Sequence, residues 1–573
     1  MSEFDENTQQ VFRRLARAQE EFNTQLLRNL GSGRLPAFAE LFRHVAAGLA
    51  SDPERVRALQ GHYYQEQLAL WLRCFGQEPI DGPEAGAPDR RFNSPEWRSL
   101  PWFDYLRQSY GLLSRWLADL VETAQVDATT HRRLRFYARQ LIDAMAPSNY
   151  AATNPEVIKL ALQTQGESIA RGLKNLIDDS DKGRISMTDE SAFEVGRNLA
   201  VTPGAVVYQN ELMQILQYRP LTETVQQLPL VIVPACINKY YILDLQPENS
   251  FVRYALSQGL TVFIVSWRNI PTALGQTSWD DYLEHGVIRA IEVARAICAV
   301  PKINTLGFCV GGTLLACALA VLRRKRRRPA ASLTLLASML DFSDSGDINA
   351  YVDADYVNQV ERDFRNGGIF SGSQLARAFA SLRANDLVWQ YVIDNYLKGR
   401  TPSAFDLLYW NSDSANLPGP MYAYYVRHMY LENALPRADA LTMCGVPVDL
   451  AKIDLPTYVL ATAEDHIVPW GAAYASARLL GKNIEFVRGA SGHIAGVINP
   501  ASTDRRSFRT GAMTPSAQSW IESSIEHPGS WWNHWARWIR AHSGPAAPAR
   551  TVLGSRKHAE IEPAPGSYVR ERF

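Results

Sequence analysis

The stretch "NTLGFCVGGTLLACALAVL", Asn304 to Leu322, decides the fold. Its opening is short and mostly apolar, as a buried strand requires, and from about Gly312 it turns into a small-residue helix. Between them, Gly307-Phe308-Cys309-Val310-Gly311 has the Gly-x-nucleophile-x-Gly form of a strained strand-to-helix elbow, with a thiol where serine is usual. The flanking glycines leave room for the tight backbone, and Gly312 adds more. Six cysteines and 36 glycines in 573 residues would produce this pattern by chance roughly 0.02 times per chain. Cys309 therefore reads as a nucleophile, whereas Cys317, on the apolar face of the following helix, reads as packing.

On either side of the elbow, strands and helices alternate. "LPLVIVPA" and "LTVFIVSW" are branched, nearly all-apolar runs, as buried parallel strands are, and "AVVYQNELMQILQY" reads as two strands with a turn. Helical "SWDDYLEHGVIRAIEVARAIC" precedes the elbow strand and "ASLTLLASML" follows its helix, which indicates a mostly parallel, doubly wound α/β sheet. The alternation lapses over about 341–440, among acidic turns and aromatic helices, and resumes with "LPTYVLATAEDH" and "IEFVRG". Such an insertion is expected as a cap over the carboxyl ends of the strands. Residues 1–200 are expected as a helical amino-terminal domain, from patterns such as "VFRRLARAQEEFNTQLLRNL" and "RLRFYARQLIDAM", and 201–573 as the catalytic domain. The Pro-containing stretch after Ser543 reads as loosely structured chain able to dock as a strap.

A thiol at a helix start faces the positive end of the helix dipole, which favours thiolate and suits attack on an activated acyl group. In this kind of elbow the nucleophile is followed in sequence by an acid and then a histidine, each after a later strand. Asp465 follows "PTYVLATAED" and His493 follows "IEFVRGASGH", with Glu464 and His466 as the competing acid and imidazole. His527, His534 and His542 lie in a Trp-rich helical stretch that suits packing, and His285 precedes the elbow strand. An oxyanion hole would use the amide of Val310 and one from "VPACINKYYILDL", with Ile237 or Asn238 as candidates. Tyr409, Trp410 and Asn411 suit either a site lining or the core. The run Arg323 to Arg328 closes the elbow helix, where cations meet the negative helix end, so it reads as a solvated terminus rather than a phosphate site.

Composition limits the partners. Formal charge is zero and pI is near 7.2, so no global field draws the protein to nucleic acid or an anionic surface. No apolar run is long enough to span a bilayer, and the six scattered cysteines have neither disulfide nor metal-ligand spacing, which suits a reducing cytoplasm.

"GFCVGGT", "PACINKYYILDL", "AEDHIVPW" and "SGHIAGVINP", with "DRRFNSPEWRSLPWFDYLRQSY", "MAPSNYAATNPEV" and "EPAPGSYV", together resemble a polyhydroxyalkanoate synthase of class I type, nearly end to end. The resemblance implies an α/β-hydrolase core with a cap behind a helical amino-terminal domain. It further implies a Cys309, Asp465, His493 site that polymerises (R)-3-hydroxyacyl-CoA, with no metal or redox cofactor. Short-chain substrates such as 3-hydroxybutyryl-CoA, a homodimer and a cytoplasmic location on polymer granules, in contact with the growing polyester, are expected with it. Cys236 departs from the tryptophan expected in similar sequences, which leaves substrate size near that loop open. Two other readings share parts of the pattern: a Cys-His-Asp thioesterase or dienelactone-type hydrolase, and a non-catalytic granule-coating protein.

Overall fold

The computed structural model describes residues 52–76, 89–481, 483–503 and 505–572. The run "VFRRLARAQEEFNTQLLRNL" lies outside them. The chain divides into two compact units, one of residues up to 189 with 379–404, the other of 190–378 with 405 onward.

The first unit is helical. Helices α1 (Pro53–Phe75), α2 (Pro101–Thr123), α3 (Ala128–Ala144), α4 (Pro155–Gln163) and α5 (Glu167–Lys182) begin where their sequences say they should. Proline opens α1, α2 and α4, where its missing N–H would have had no helical partner. Asp127 caps α3 by accepting from the Thr129 and Thr130 amides at 3.0 and 3.1 Å, and Asn154 caps α4 in the same way. Residues 379–404 bring Trp389, Val392, Tyr396 and Leu397 to this unit's apolar clusters. Gly172 on α5 lets the backbone of Tyr396 come so close that any Cβ would run into its carbonyl. The Tyr396 hydroxyl donates to Asp179 Oδ2 at 2.7 Å inside this packing. Tyr396→Phe should therefore lower this unit's stability by about 1 kcal/mol, read as a lower midpoint in urea.

The second unit is built on an 11-stranded sheet. Its strands are β1 (Gly204–Gln209), β2 (Met213–Tyr218), β3 (Leu230–Val233), β4 (Val262–Trp267), β5 (Ile303–Phe308), β6 (Ala330–Leu336), β7 (Thr457–Thr462), β8 (Ile484–Gly489), β9 (Ser507–Thr510), β10 (Ile525–Pro528) and β11 (Glu562–Pro563). Their order is β10-β9-β8-β7-β6-β5-β3-β4-β2-β1-β11. The strands from β8 through β4 run parallel and both margins are antiparallel, with the expected β1–β2 hairpin at one of them. The parallel strands are buried almost throughout because helices cover both faces, which is why they read as continuous apolar runs. This is the α/β-hydrolase sheet expected from the sequence.

Helices α6 (Arg289–Cys298) and α7 (Val310–Arg324) flank β5, and every residue of α7 from Val310 to Leu322 is buried, Cys317 among them. The basic run at the end of α7 is engaged by carboxylates: Arg323 and Arg328 meet Asp454, Arg324 meets Asp439, and Arg327 meets Glu292 at 2.7 Å. The segment after Ser543 does dock. It pairs Ala546–Pro548 with Thr224–Gln226, adds β11 beside β1, and buries Tyr568 and Val569. Among the described residues, no helix is long and apolar enough to cross a membrane, and no group of three His, Cys, Asp or Glu is placed to hold a metal.

Candidate active site

Cys309 stands between β5 and α7 at φ +53° and ψ −130°, a conformation that L-residues adopt only under constraint. Both sides hold it there: its amide donates to the Leu336 carbonyl at 3.0 Å, and its own carbonyl accepts from Gly312 N at 2.9 Å. The glycines around it are steric necessities. A Cβ on Gly307 would strike Gly312, one on Gly312 would strike Ser338, and one on Gly311 would strike the carbonyls of Val233 and Pro234. Gly311→Ala should consequently cost about 1–3 kcal/mol and displace the loop after β3, read as a lower melting temperature together with lost activity.

Asp465 and His493 come from the ends of neighbouring strands β7 and β8. Two backbone bonds lash their loops together, Ala463 N to Gly489 O at 2.8 Å and Glu464 N to Ser491 O at 2.9 Å. The result is a bond of 2.7 Å between Asp465 Oδ2 and His493 Nδ1, with both side chains almost fully buried. Asp465 is oriented by the amides of Ile467 and Val468 at 2.9 and 2.8 Å and by the Thr462 hydroxyl at 3.1 Å. Glu464 is exposed, so the buried partner of the histidine is Asp465.

Burial pushes His493 down, but the Asp465 carboxylate, Cys309 and the hydrogen bonds to both outweigh it and carry the imidazole up to about 10. Burial pushes Asp465 up, and the His493 charge with the two loop amides brings it below its ordinary value. The histidine thus holds the acid through Nδ1 and feels Cys309 as a neighbour that raises it, while the Phe308 ring stacks against it at 5.6 Å. Cys236 lies near Cys309, and burial first, then Cys309, pushes its thiol up to about 12.

Val310 is buried at the start of α7, and its neighbour Gly311 abuts the Val233 and Pro234 carbonyls, where the loop toward Ile237 and Asn238 begins. That loop is tied down along its length. The Trp267 indole donates to Pro234 O at 2.9 Å, Ala415 N donates to Ile237 O at 2.9 Å, Asn238 forms a β-bridge with Ser414, and the Trp410 indole donates to Lys239 O at 2.7 Å.

Two groups of aromatic residues supporting the site were not singled out from sequence. Tyr425 and Tyr430, half-buried with ring centroids 5.2 Å apart and both near Phe342, pack toward Cys309; burial and then each other and the sulfur raise Tyr425. They come from a short helix, α8 (Gly419–Tyr425), that continues as a π-helical turn over Val426–Leu431. Tyr409 and Trp410 sit instead in the buried core, with Trp410 bonded to the loop that carries Ile237 and Asn238. Behind His493, Trp531 and Trp532 donate their indole N–H groups to the carbonyls of Gly496 and Val497 at 3.0 and 2.9 Å, fixing the histidine loop from below. The histidines of that Trp-rich region pack as expected, with His534 Nδ1 3.1 Å from the Tyr458 hydroxyl and His527 Nε2 2.8 Å from Thr510 Oγ1.

Comparison with known proteins agrees with this fold. Residues 88–255 match the family described as poly-beta-hydroxybutyrate polymerase (PhaC) N-terminus, and 229–500 match the alpha/beta hydrolase fold. The poly(3-hydroxyalkanoate) polymerase subunit PhaC of Cupriavidus necator is 48% identical over 559 residues, spanning 96% of this chain and 94% of that one. The poly(3-hydroxyalkanoate) polymerase of Methylorubrum extorquens is 38% identical, over 94% of this chain and 91% of that one. Poly(3-hydroxyalkanoate) polymerase 1 of Ectopseudomonas oleovorans is 37% identical, over 84% and 87%.

Proposed function

This chain belongs to the poly(3-hydroxyalkanoate) polymerase family, and from that premise we propose that it builds polyester from short-chain (R)-3-hydroxyacyl-CoA through a thioester on Cys309. As a polymerase of this family it is an acyltransferase. The observation that carries the site assignment is the single constellation of a strained half-buried thiol, an imidazole in reach of it, and a buried carboxylate on the far ring nitrogen.

With Nδ1 held by Asp465, Nε2 of His493 is the position that accepts and keeps the Cys309 proton, since the raised imidazole retains it while the sulfur attacks. The sulfur then attacks the thioester carbonyl, and the oxyanion forms against the amides of Val310 and of Ile237 or Asn238. Collapse breaks the bond to the CoA sulfur, which leaves with the proton from His493. The hydroxyl of a second monomer or of the growing chain attacks the acyl-cysteine and gives its proton to His493; the ester forms as the bond to the Cys309 sulfur breaks, and the sulfur takes that proton back. Water must be kept from that intermediate, a task suited to the Phe342, Tyr425 and Tyr430 rings, which share the apolar cluster against which Cys309 packs.

Of the insertion over about 341–440, the parts outside 379–404 act in this reading as the cap. The helical residues before Glu190 serve homodimerisation and attachment to the polymer granule in the cytoplasm. Supporting the latter, α1 and α2 expose Leu68, Trp71, Phe75 and Trp102, the last at 54%.

The test is to follow CoA release and insoluble polymer together, with (R)-3-hydroxybutyryl-CoA and (R)-3-hydroxyoctanoyl-CoA in competition. Preferred incorporation of the four-carbon unit, with released CoA matching polymerised monomer, is expected. Release without polymer would make the protein a thioesterase, and equal use of both would remove the short-chain assignment.

A further inference from the structure

Lys239 is 3% exposed, and its ammonium is placed to donate to two main-chain carbonyls, Glu571 O at 2.8 Å and Tyr568 O at 3.4 Å. A buried ammonium is costly unless its hydrogen bonds are met, so this contact specifies where the 568–572 segment lies. That segment is gripped from two further sides. Arg268, just after β4, pairs with Glu571 at 3.0 Å and lies over the Tyr568 ring at 4.7 Å, while Asn269 donates to Glu571 O at 3.3 Å. Arg572 donates to the Tyr409 hydroxyl at 2.5 Å and lies 3.6 Å from Asp413, which also accepts from the Tyr241 hydroxyl at 2.8 Å.

Lys239 directly follows Ile237 and Asn238, and the other face of the same loop is bonded to residues 414 and 415. The loop is thus clamped between the insertion and the 568–572 strap, with the lysine as the pin on the strap side. We infer that Lys239 and the 568–572 strap are positioning elements for acyl transfer, holding the Ile237/Asn238 amides against the nucleophile elbow. This rests on the proposed Cys309 chemistry. Neither group touches substrate; each acts through the loop.

The experiment uses the full chain carrying Lys239→Met, which keeps the stem and removes the donor, Lys239→Arg, which keeps the donors, and Arg572→Met, which loosens the strap from its far end. Three quantities are read: kcat and KM for CoA release from (R)-3-hydroxybutyryl-CoA, the rate of Cys309 alkylation by iodoacetamide, and the melting temperature. Alkylation needs the thiol but no oxyanion hole, so it separates loop position from nucleophile integrity. Lys239→Met is expected to lose roughly 10- to 100-fold in kcat with KM and alkylation within about threefold of wild type. Lys239→Arg should recover most of the loss, and Arg572→Met should show a smaller loss of the same kind. Wild-type kcat in Lys239→Met, or kcat and alkylation falling in parallel with the melting temperature, would overturn the inference. If Lys239→Met does not fold, Arg572→Met decides: an unchanged kcat there is likewise fatal. Should alkylation of wild-type Cys309 leave polymer formation intact, the nucleophile assignment fails, and that outcome is visible without any Lys239 variant.

Discussion

Cys309→Ala is expected to make no detectable polymer and to slow CoA release by about 10,000-fold or more, since removing a nucleophile that acts as a unit with its base leaves only binding and oxyanion stabilisation. Cys317→Ala should stay within about threefold of wild type: burial pushes that thiol far up and leaves it no exposed surface, so it is neither ionised nor reachable. Wild-type protein quenched during turnover should carry hydroxyacyl mass on the peptide containing Cys309, and the Cys309→Ala protein should carry none. Polymer made by Cys309→Ala, or acyl mass found on Cys236 instead, would move the chemistry away from the elbow. A Cys309→Ser protein separates nucleophilicity from geometry, because a hydroxyl in the same strained turn faces the same histidine but starts as a weaker nucleophile. Acylation slower by orders of magnitude, with an adduct that persists, is the result expected of it.

The elbow was legible because three constraints act within six residues: a strand must end, a helix must begin, and Gly307, Gly311 and Gly312 must each be free of a Cβ. Asp465 and His493 were legible for a related reason, each following an apolar parallel strand at its carboxyl end, where side chains from adjacent strands converge. The support around them was not. Tyr425 and Tyr430 join the apolar cluster against which Cys309 packs from a helix that changes to π-helical spacing at Val426, so a 3.6-residue pattern assigns its faces wrongly. Trp531 and Trp532 hold the histidine loop by indole-to-carbonyl bonds over 35 residues of sequence, and no local spacing announces a contact of that kind. The insertion read as one cap contributes residues 379–404 to the helical unit, because Trp389, Val392 and Tyr396 are apolar toward helices far back in the chain. Lys239 was visible only as a letter in the loop motif. Its significance depends on a segment more than 300 residues later whose Pro-containing composition suggested looseness, although its carbonyls are what the ammonium needs.

Asp465→Asn should cost about 1,000- to 10,000-fold in polymerisation, because an amide cannot hold His493 Nδ1–H against the imidazolium that forms during proton transfer. The substitution should also change how stability depends on pH, and here the sign is determined. His493 is raised in the folded protein from 6.5 to about 10, so its contribution is complete below about 6.5 and is lost as pH rises through about 10. Asp465 is lowered, so its contribution is present above its ordinary value of 3.8 and is lost as pH falls through the lower folded value. The pair therefore stabilises the fold most between those limits, on the acid side of neutrality. Without the carboxylate, burial pulls His493 down again, and protonating it ceases to favour the folded state to the same degree. The difference in melting temperature between wild type and Asp465→Asn should be largest near pH 5 to 6.5 and should shrink steadily toward about pH 10. A difference that is flat across that range would mean that the two buried side chains do not share charge in the folded protein, and the role of Asp465 would reduce to loop anchoring through the Ile467 and Val468 amides.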